Sequence, residues 1–240
     1  MKDSVKERLS GWLRFFIGVA LLPACWAFLR AFWTALMTAA GGTGLSAEAL
    51  SLLGGVAAFA LAWSALGRPV RTYILGHELT HALWGLAFGA RVSDLHVGEK
   101  SGYVKLSRSN VLTTLAPYFF PFYTFVVIVA ALVTYAFLRP LPCLPLWLFL
   151  VGFTWAFHVL FTLDTLATRQ PDVKIYGRVF SWVVILIGNI VMVLLWLAAT
   201  TDVTFAALGR EIASRLVEAY ATVFGLAAAA VSKLEQAGRR

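Results

Sequence analysis

Three features of the sequence predict an all-α integral membrane protein, a helical bundle of five to six transmembrane helices with one short β-hairpin. Hydrophobic residues fill 60% of the 240 positions and charged residues only 13%, against about a quarter charged in a soluble domain. Apolar runs recur at lengths that cross a bilayer, which takes about 20 residues. Lipid leaves each backbone amide to be satisfied within its own segment, and runs of this length do so as helices. Lysine and arginine are also spread unevenly over the connecting loops.

Taken in order, the first run covers roughly Phe15–Met37. It follows Lys2, Lys6, Arg8 and Arg14 as a secretory signal would. Its apolar stretch exceeds the usual 7–15 residues of such a signal, and a second span, Leu45–Leu66, follows at once. A retained helix is expected. Val70–Phe88 reads as an amphipathic helix. Arg91–Val97 and Tyr103–Ser107 are strand-like runs joined by Gly98-Glu99-Lys100-Ser101-Gly102, a loop with glycine at both ends and so a hairpin. Val111–Leu138 is the next span, with Pro117 and Pro121 expected to kink it. Leu144–Leu163, apolar apart from His158, and Ile175–Ala199 complete the spans. Phe205–Gln236 carries Leu208, Ile212, Leu216, Tyr220 and Phe224 at a spacing of four, with Arg210, Glu211, Ser214, Arg215 and Glu218 on the opposite face. That is the pattern of an interfacial amphipathic helix, with a re-crossing of the bilayer by Leu216–Val231 as the alternative. The expected division is 1–203, a polytopic membrane domain, and 204–240, an amphipathic C-terminal helix and tail. Cys25 and Cys143 lie in or beside apolar runs and read as small packing residues rather than a disulfide.

Basic residues mark the cytoplasmic side. If Val70–Phe88 crosses fully, the basic loops fall on both sides and no orientation emerges. If it dips in and returns, the basic residues sort. Lys2, Lys6, Arg8, Arg14, Arg68, Arg71, Arg91, Lys100, Lys105, Arg108, Arg169, Lys174 and Arg178 then share one side, and Arg139 alone faces the other. The N-terminus and the hairpin are therefore expected in the cytoplasm, and the protein in a plasma membrane such as the bacterial inner membrane. This topology accounts for the net charge of +8, so the expected partner is the lipid bilayer and not nucleic acid. Nothing in the chain speaks to oligomeric state.

The motif that carries chemistry is His77-Glu78-Leu79-Thr80-His81. Histidines four apart project from one helical face about a turn from each other, a spacing that lets both bind one Zn²⁺. Glu78 is then placed as general base and afterwards general acid. Four His and seven Glu scattered over 240 residues would produce about 0.002 such motifs. Burying two imidazoles and a carboxylate at a membrane boundary without a metal would also be costly.

A hydrolytic zinc takes three protein ligands and keeps a position for water. His158, an ionisable residue inside a span, is one candidate for the third; Asp164, at the end of that span, is another. They lie about 240° apart around the helix, so only one of them is expected to ligate. Asp172, behind Pro171 in the next loop, ranks after them, and His96 in the hairpin is the remaining histidine.

An apolar span, then His77-Glu78-x-x-His81, then Gly89-Ala90-Arg91-Val92 leading into Leu95-His96-Val97-Gly98 resembles the site-2 protease family of intramembrane zinc metalloproteases. The likeness is specific over about residues 50–110 and loose over 111–180. It implies a metal site near the cytosolic face, a cytosolic-side hairpin after the motif, and cleavage of membrane-spanning protein substrates by a zinc metalloendopeptidase. The usual third-ligand motif of that family is Asn-x-x-Pro-x-Pro-x-x-Asp-Gly. Here Phe161-Thr162-Leu163-Asp164-Thr165 keeps a Leu-Asp pair and lacks the Asn, both Pro and the Gly. The third ligand stays open between His158 and Asp164.

Other classes fit less well. A zinc-binding pseudo-protease or regulatory protein would share the motif and show no Glu78-dependent cleavage. A transporter would need ionisable residues along its spans, where Arg30 stands almost alone. Four histidines cannot fill the histidine boxes of a diiron oxygenase. Beyond His81 no glutamate lies in a span, which disfavours proteases with a glutamate as third ligand.

Overall fold

The computed structural model describes residues 2–40, 46–168, 170–200 and 203–238; Leu45, Arg169 and Asp202 lie outside these. Helices dominate: α1 (Lys2–Ala20), α2 (Leu22–Ala40), α3 (Ala47–Ala65), α4 (Val70–Ala87), α5 (Val111–Leu115), α6 (Phe122–Phe137), α7 (Leu144–Leu166), α8 (Pro171–Tyr176), α9 (Arg178–Thr200) and α10 (Phe205–Gly238). Strands β1 (Val92–Val97) and β2 (Gly102–Leu106) pair antiparallel as the expected hairpin, with His96 opposite Tyr103 and a register shift between Val92 and Asp94. Among the described residues, five helical segments are long and apolar enough to cross a membrane: Ser10–Ala39, Ala47–Ala65, Leu144–Leu166, Arg178–Thr200 and Phe205–Ala237.

The chain forms two compact units, one of residues 44–175 and one of 1–43 with 176–240. In the second of these α10 packs along α2. Within the second unit Leu208 joins Ala35, Ile190 and Leu194 in a core, and the Tyr220 hydroxyl donates to the Ala20 carbonyl at 2.8 Å. The two helices are thus antiparallel. Glu211 and Arg215 are half-buried rather than turned away, and Arg215 donates to both Glu211 and Glu218 at 2.9 Å. Arg210, Ser214 and Glu218 are exposed as expected, and the apolar Phe224 is exposed too. Cys25 is buried as expected, whereas Cys143 is exposed; neither forms a disulfide.

Two expected spans are broken. Val111–Leu138 divides into α5, extended by a 3₁₀ turn Ala116–Tyr118, and α6, with an 84° bend between them. Pro121 sits at the break with φ −78° and ψ 81°; a proline has no N–H to carry a helix through. The run from Ile175 breaks at Gly177, whose φ of +86° lies in the left-handed region, so Ile175 belongs to α8 and α9 starts at Arg178.

In the unit of residues 44–175, α3 and α7 approach closely through glycine. A methyl group on Gly55 would strike the Phe149 carbonyl, and one on Gly152 the Leu52 carbonyl. Such small residues let helix backbones meet in lipid-like surroundings. The contact supports an aromatic core of Phe59, Phe157 and Phe161. Tyr73 of α4 stacks on Phe161 with centroids 4.7 Å apart and planes 4° from parallel. Tyr123 of α6 donates to the Thr72 carbonyl at 2.6 Å. At the other end of α4, Arg108 donates to the Phe88 carbonyl at 2.6 Å, a cation on a helix C-terminus. These contacts hold α4 by both ends.

Candidate metal centre

His77 and His81 lie one turn apart on α4, with ring centroids 4.9 Å apart and side chains 12% and 13% exposed. Each ring has a partner at Nδ1. His81 Nδ1 lies 2.8 Å from the Thr113 carbonyl. A carbonyl only accepts, so Nδ1 donates and the lone pair falls on Nε2. His77 Nδ1 lies 3.2 Å from the Tyr73 hydroxyl. Thr113 is held in turn by the cap of α5, where Asn110 Oδ1 accepts from the Thr113 N–H at 2.9 Å.

Both Nε2 atoms face a single oxygen, Asp172 Oδ2, at 3.6 Å for His77 and 3.7 Å for His81. A charge-assisted hydrogen bond would be about 2.7–2.9 Å long, so neither contact is one. Three ligands each about 2.0–2.2 Å from one ion would lie roughly 3.3–3.6 Å apart. The spacing therefore fits a shared cation better than direct pairing. One ligand atom from each of the three residues falls within 4.8 Å of the others. Two imidazoles with one carboxylate suit a divalent ion of intermediate softness, and partners behind the ligands are what such sites use to fix ring orientation.

Asp172 reaches this place through α8. Pro171 stands at the first helical position and Asp172 in the first turn, where proline's missing N–H is not needed and an acid is favoured. Tyr118 donates to Asp172 Oδ2 at 3.0 Å. Burial acts to raise the Asp172 carboxyl, but the two facing imidazoles outweigh it and hold the group well below the usual carboxylate range.

The two residues expected to supply the third ligand, His158 and Asp164, are not in the group formed by His77, His81 and Asp172. Asp164 is taken by Arg68, at 2.6 Å. His158 is buried in α7 and lines, with His77, Thr80, Tyr123 and Thr154, a cavity of about 20 Å³, room for a single water. His96 stacks on its cross-strand partner Tyr103, centroids 5.6 Å apart. The acid that faces both imidazoles is Asp172. A proline followed by an acid is a readable helix start, and it was the one signal pointing there.

Glu78 is 8% exposed and stands outside the three-residue set, on a neighbouring face of α4. The hairpin covers it. A methyl group on Gly102 would sit 2.9 Å from Glu78 Cγ and 2.6 Å from Ile74 Cγ2, so the start of β2 runs directly over the glutamate. No family model, curated protein or solved structure matches the chain.

Proposed function

We propose that this chain is an intramembrane zinc metalloprotease of the site-2 protease type, which hydrolyses peptide bonds in or near membrane-spanning protein substrates. The observation that carries this reading is the convergence of His77 Nε2 and His81 Nε2 on one oxygen of Asp172 at 3.6 and 3.7 Å. His77, His81 and Asp172 would hold the ion. When bound, it supplies a Lewis acid that raises the acidity of a water and polarises a carbonyl. Glu78, which does not ligate, takes the proton of the attacking water and returns it to the departing amide nitrogen. Thr113 and Tyr73 keep the two imidazoles turned toward the site.

The hairpin supports the same reading. A helical substrate hides its scissile carbonyl in its own hydrogen bonds, so it must be held extended. A strand edge running over Glu78 can do that by adding the substrate as a further strand. The helices long enough to span a bilayer support a site within or at the edge of the membrane, with the hairpin on the cytoplasmic side of a plasma membrane.

The test combines metal content with cleavage of a membrane-spanning reporter by the purified full-length protein. The native chain should carry one ion and cut the reporter. Glu78→Gln should keep the ion and lose cleavage, and Asp172→Ala should lose both. Undiminished cleavage by Glu78→Gln, or a native chain that binds no ion when offered zinc, overturns the proposal. An ion without cleavage would favour a metal-binding regulatory protein instead.

A further inference from the structure

We propose that Tyr118 is a positioning residue of the metal centre, whose hydroxyl holds Asp172 so that a single carboxylate oxygen is turned to the two imidazoles. The inference rests on the metal site proposed above and concerns how that site is built.

Tyr118 ends the 3₁₀ turn Ala116–Tyr118 and is wholly buried. Its ring meets His77 edge-on, centroids 5.3 Å apart and planes at 84°. Its hydroxyl donates at 3.0 Å to Asp172 Oδ2, the same oxygen that faces His77 and His81. One side chain thus touches two of the three ligand residues.

Asp172 needs such a hold. It lies in the first turn of a helix of only six residues, and its side chain is 24% exposed. A carboxylate in that setting has a free last torsion. It is free to turn to water, or to offer both oxygens where one is wanted. A donor anchored inside the fold removes that freedom. A phenol suits the task because it is neutral over the working pH range and adds no charge to compete with a cation. Its place is set by the 3₁₀ turn Ala116–Tyr118, in which all three residues are buried. The other two ligands are served in the same manner, His77 by Tyr73 and His81 by the Thr113 carbonyl. Outer partners of this kind are worth about 10–100-fold in metal affinity. Tyr220 makes the contrast: its hydroxyl donates to the Ala20 backbone carbonyl rather than to a ligand.

The experiment uses full-length protein in detergent, loaded with Co²⁺, and reads chelator competition and visible absorption. Tyr118→Phe keeps the ring and removes the donor. It should still take one Co²⁺ at saturation, with affinity lowered about 10–100-fold. Its visible bands should weaken as the freed carboxylate adds a second bond to the ion. Tyr220→Phe, which removes a hydroxyl bonded to Ala20 in the unit of residues 1–43 and 176–240, should match the native protein in both readings. Native affinity and a native spectrum in Tyr118→Phe overturn the proposal. Infrared spectra of the native chain with ¹³C-labelled aspartate, loaded with zinc, need no substitution. The carboxylate stretches should carry the separation of one-oxygen binding, and that of two-oxygen binding overturns the proposal as well. A native protein that takes up no Co²⁺ would instead remove the metal site itself, a distinguishable result.

Discussion

Arg68 and Asp164 form an ion pair at 2.6 Å between the loop before α4 and the end of α7, and that pair separates Asp164 from the metal centre. The side chains are 52% and 38% exposed, so the contact is worth about 0.2–1 kcal/mol. Asp164→Asn should therefore leave bound metal at the native level and stability nearly unchanged. Asp172→Asn should cut bound metal sharply, because it removes an anionic ligand. Metal analysis of the two purified variants decides between the acids. Loss of the ion in Asp164→Asn, with retention in Asp172→Asn, would reverse the assignment.

Why Asp164 stands out in the sequence, when Asp172 is the acid that faces the imidazoles, is a matter of range. His77, Glu78 and His81 are legible because their relation is set by one helix, with spacing and face both following from 3.6 residues per turn. The hairpin is legible because glycine bounds its loop. Which acid faces the two imidazoles is a tertiary fact. Asp164 carries a familiar Leu-Asp pair, yet its fate is decided by Arg68, 96 residues earlier. Asp172 is delivered by the start of α8 and held by Tyr118, 54 residues before it. Pro117 and Pro121 announced a disturbance after α5, but composition does not show that the bend reaches 84°. Spacing found the inward face of α10 at Leu208, Ile212, Leu216 and Tyr220 and the outward Arg210, Ser214 and Glu218, but not that Glu211 and Arg215 are drawn in beside α2.

Acid should strip the metal through the imidazoles, not through Asp172. A carboxyl held below its unfolded value, about 3.9, contributes stability above that value and loses it as pH falls through the lower folded value. From pH 8 to pH 5 Asp172 stays ionised. Free imidazole titrates near 6.5, and each must shed its proton to ligate. At a metal concentration that half-saturates the protein at pH 8, bound metal should fall as pH is lowered to 5. A curve that stays flat from pH 8 to pH 5 would mean that loss of protons from the imidazoles does not govern binding.

Gly102 offers a way to disturb Glu78 without touching a ligand. A side chain there meets Ile74 Cγ2 at 2.6 Å, Glu78 Cγ at 2.9 Å and the His96 carbonyl at 2.9 Å. The last is backbone of the paired strand and has little room to yield. Gly102→Val should keep one ion per chain while reporter cleavage drops at least about tenfold, one decade being about 1.4 kcal/mol of lost transition-state stabilisation. Native turnover in this variant would show that neither the place of Glu78 nor the strand above it matters to the reaction.

The glycine contact between α3 and α7 should be felt at the metal centre although it contains none of its residues. A Cβ on Gly55 would strike the Phe149 carbonyl and sit 2.8 Å from the Phe153 nitrogen, whereas one on Gly54 would meet only Phe149 Cδ2 at 3.8 Å, an ordinary contact. Gly55→Ala forces two backbones apart and should cost about 1–3 kcal/mol. Gly54→Ala should be neutral or slightly stabilising, since it also lowers the entropy of the unfolded chain. The displacement has a route to the site: α7 carries Phe161, Phe161 stacks on Tyr73, and the Tyr73 hydroxyl meets His77 Nδ1. Thermal unfolding and metal affinity should therefore fall together in Gly55→Ala and stay native in Gly54→Ala. Equal behaviour of the two variants would mean that the close approach of these helices neither supports the fold nor steadies the histidine.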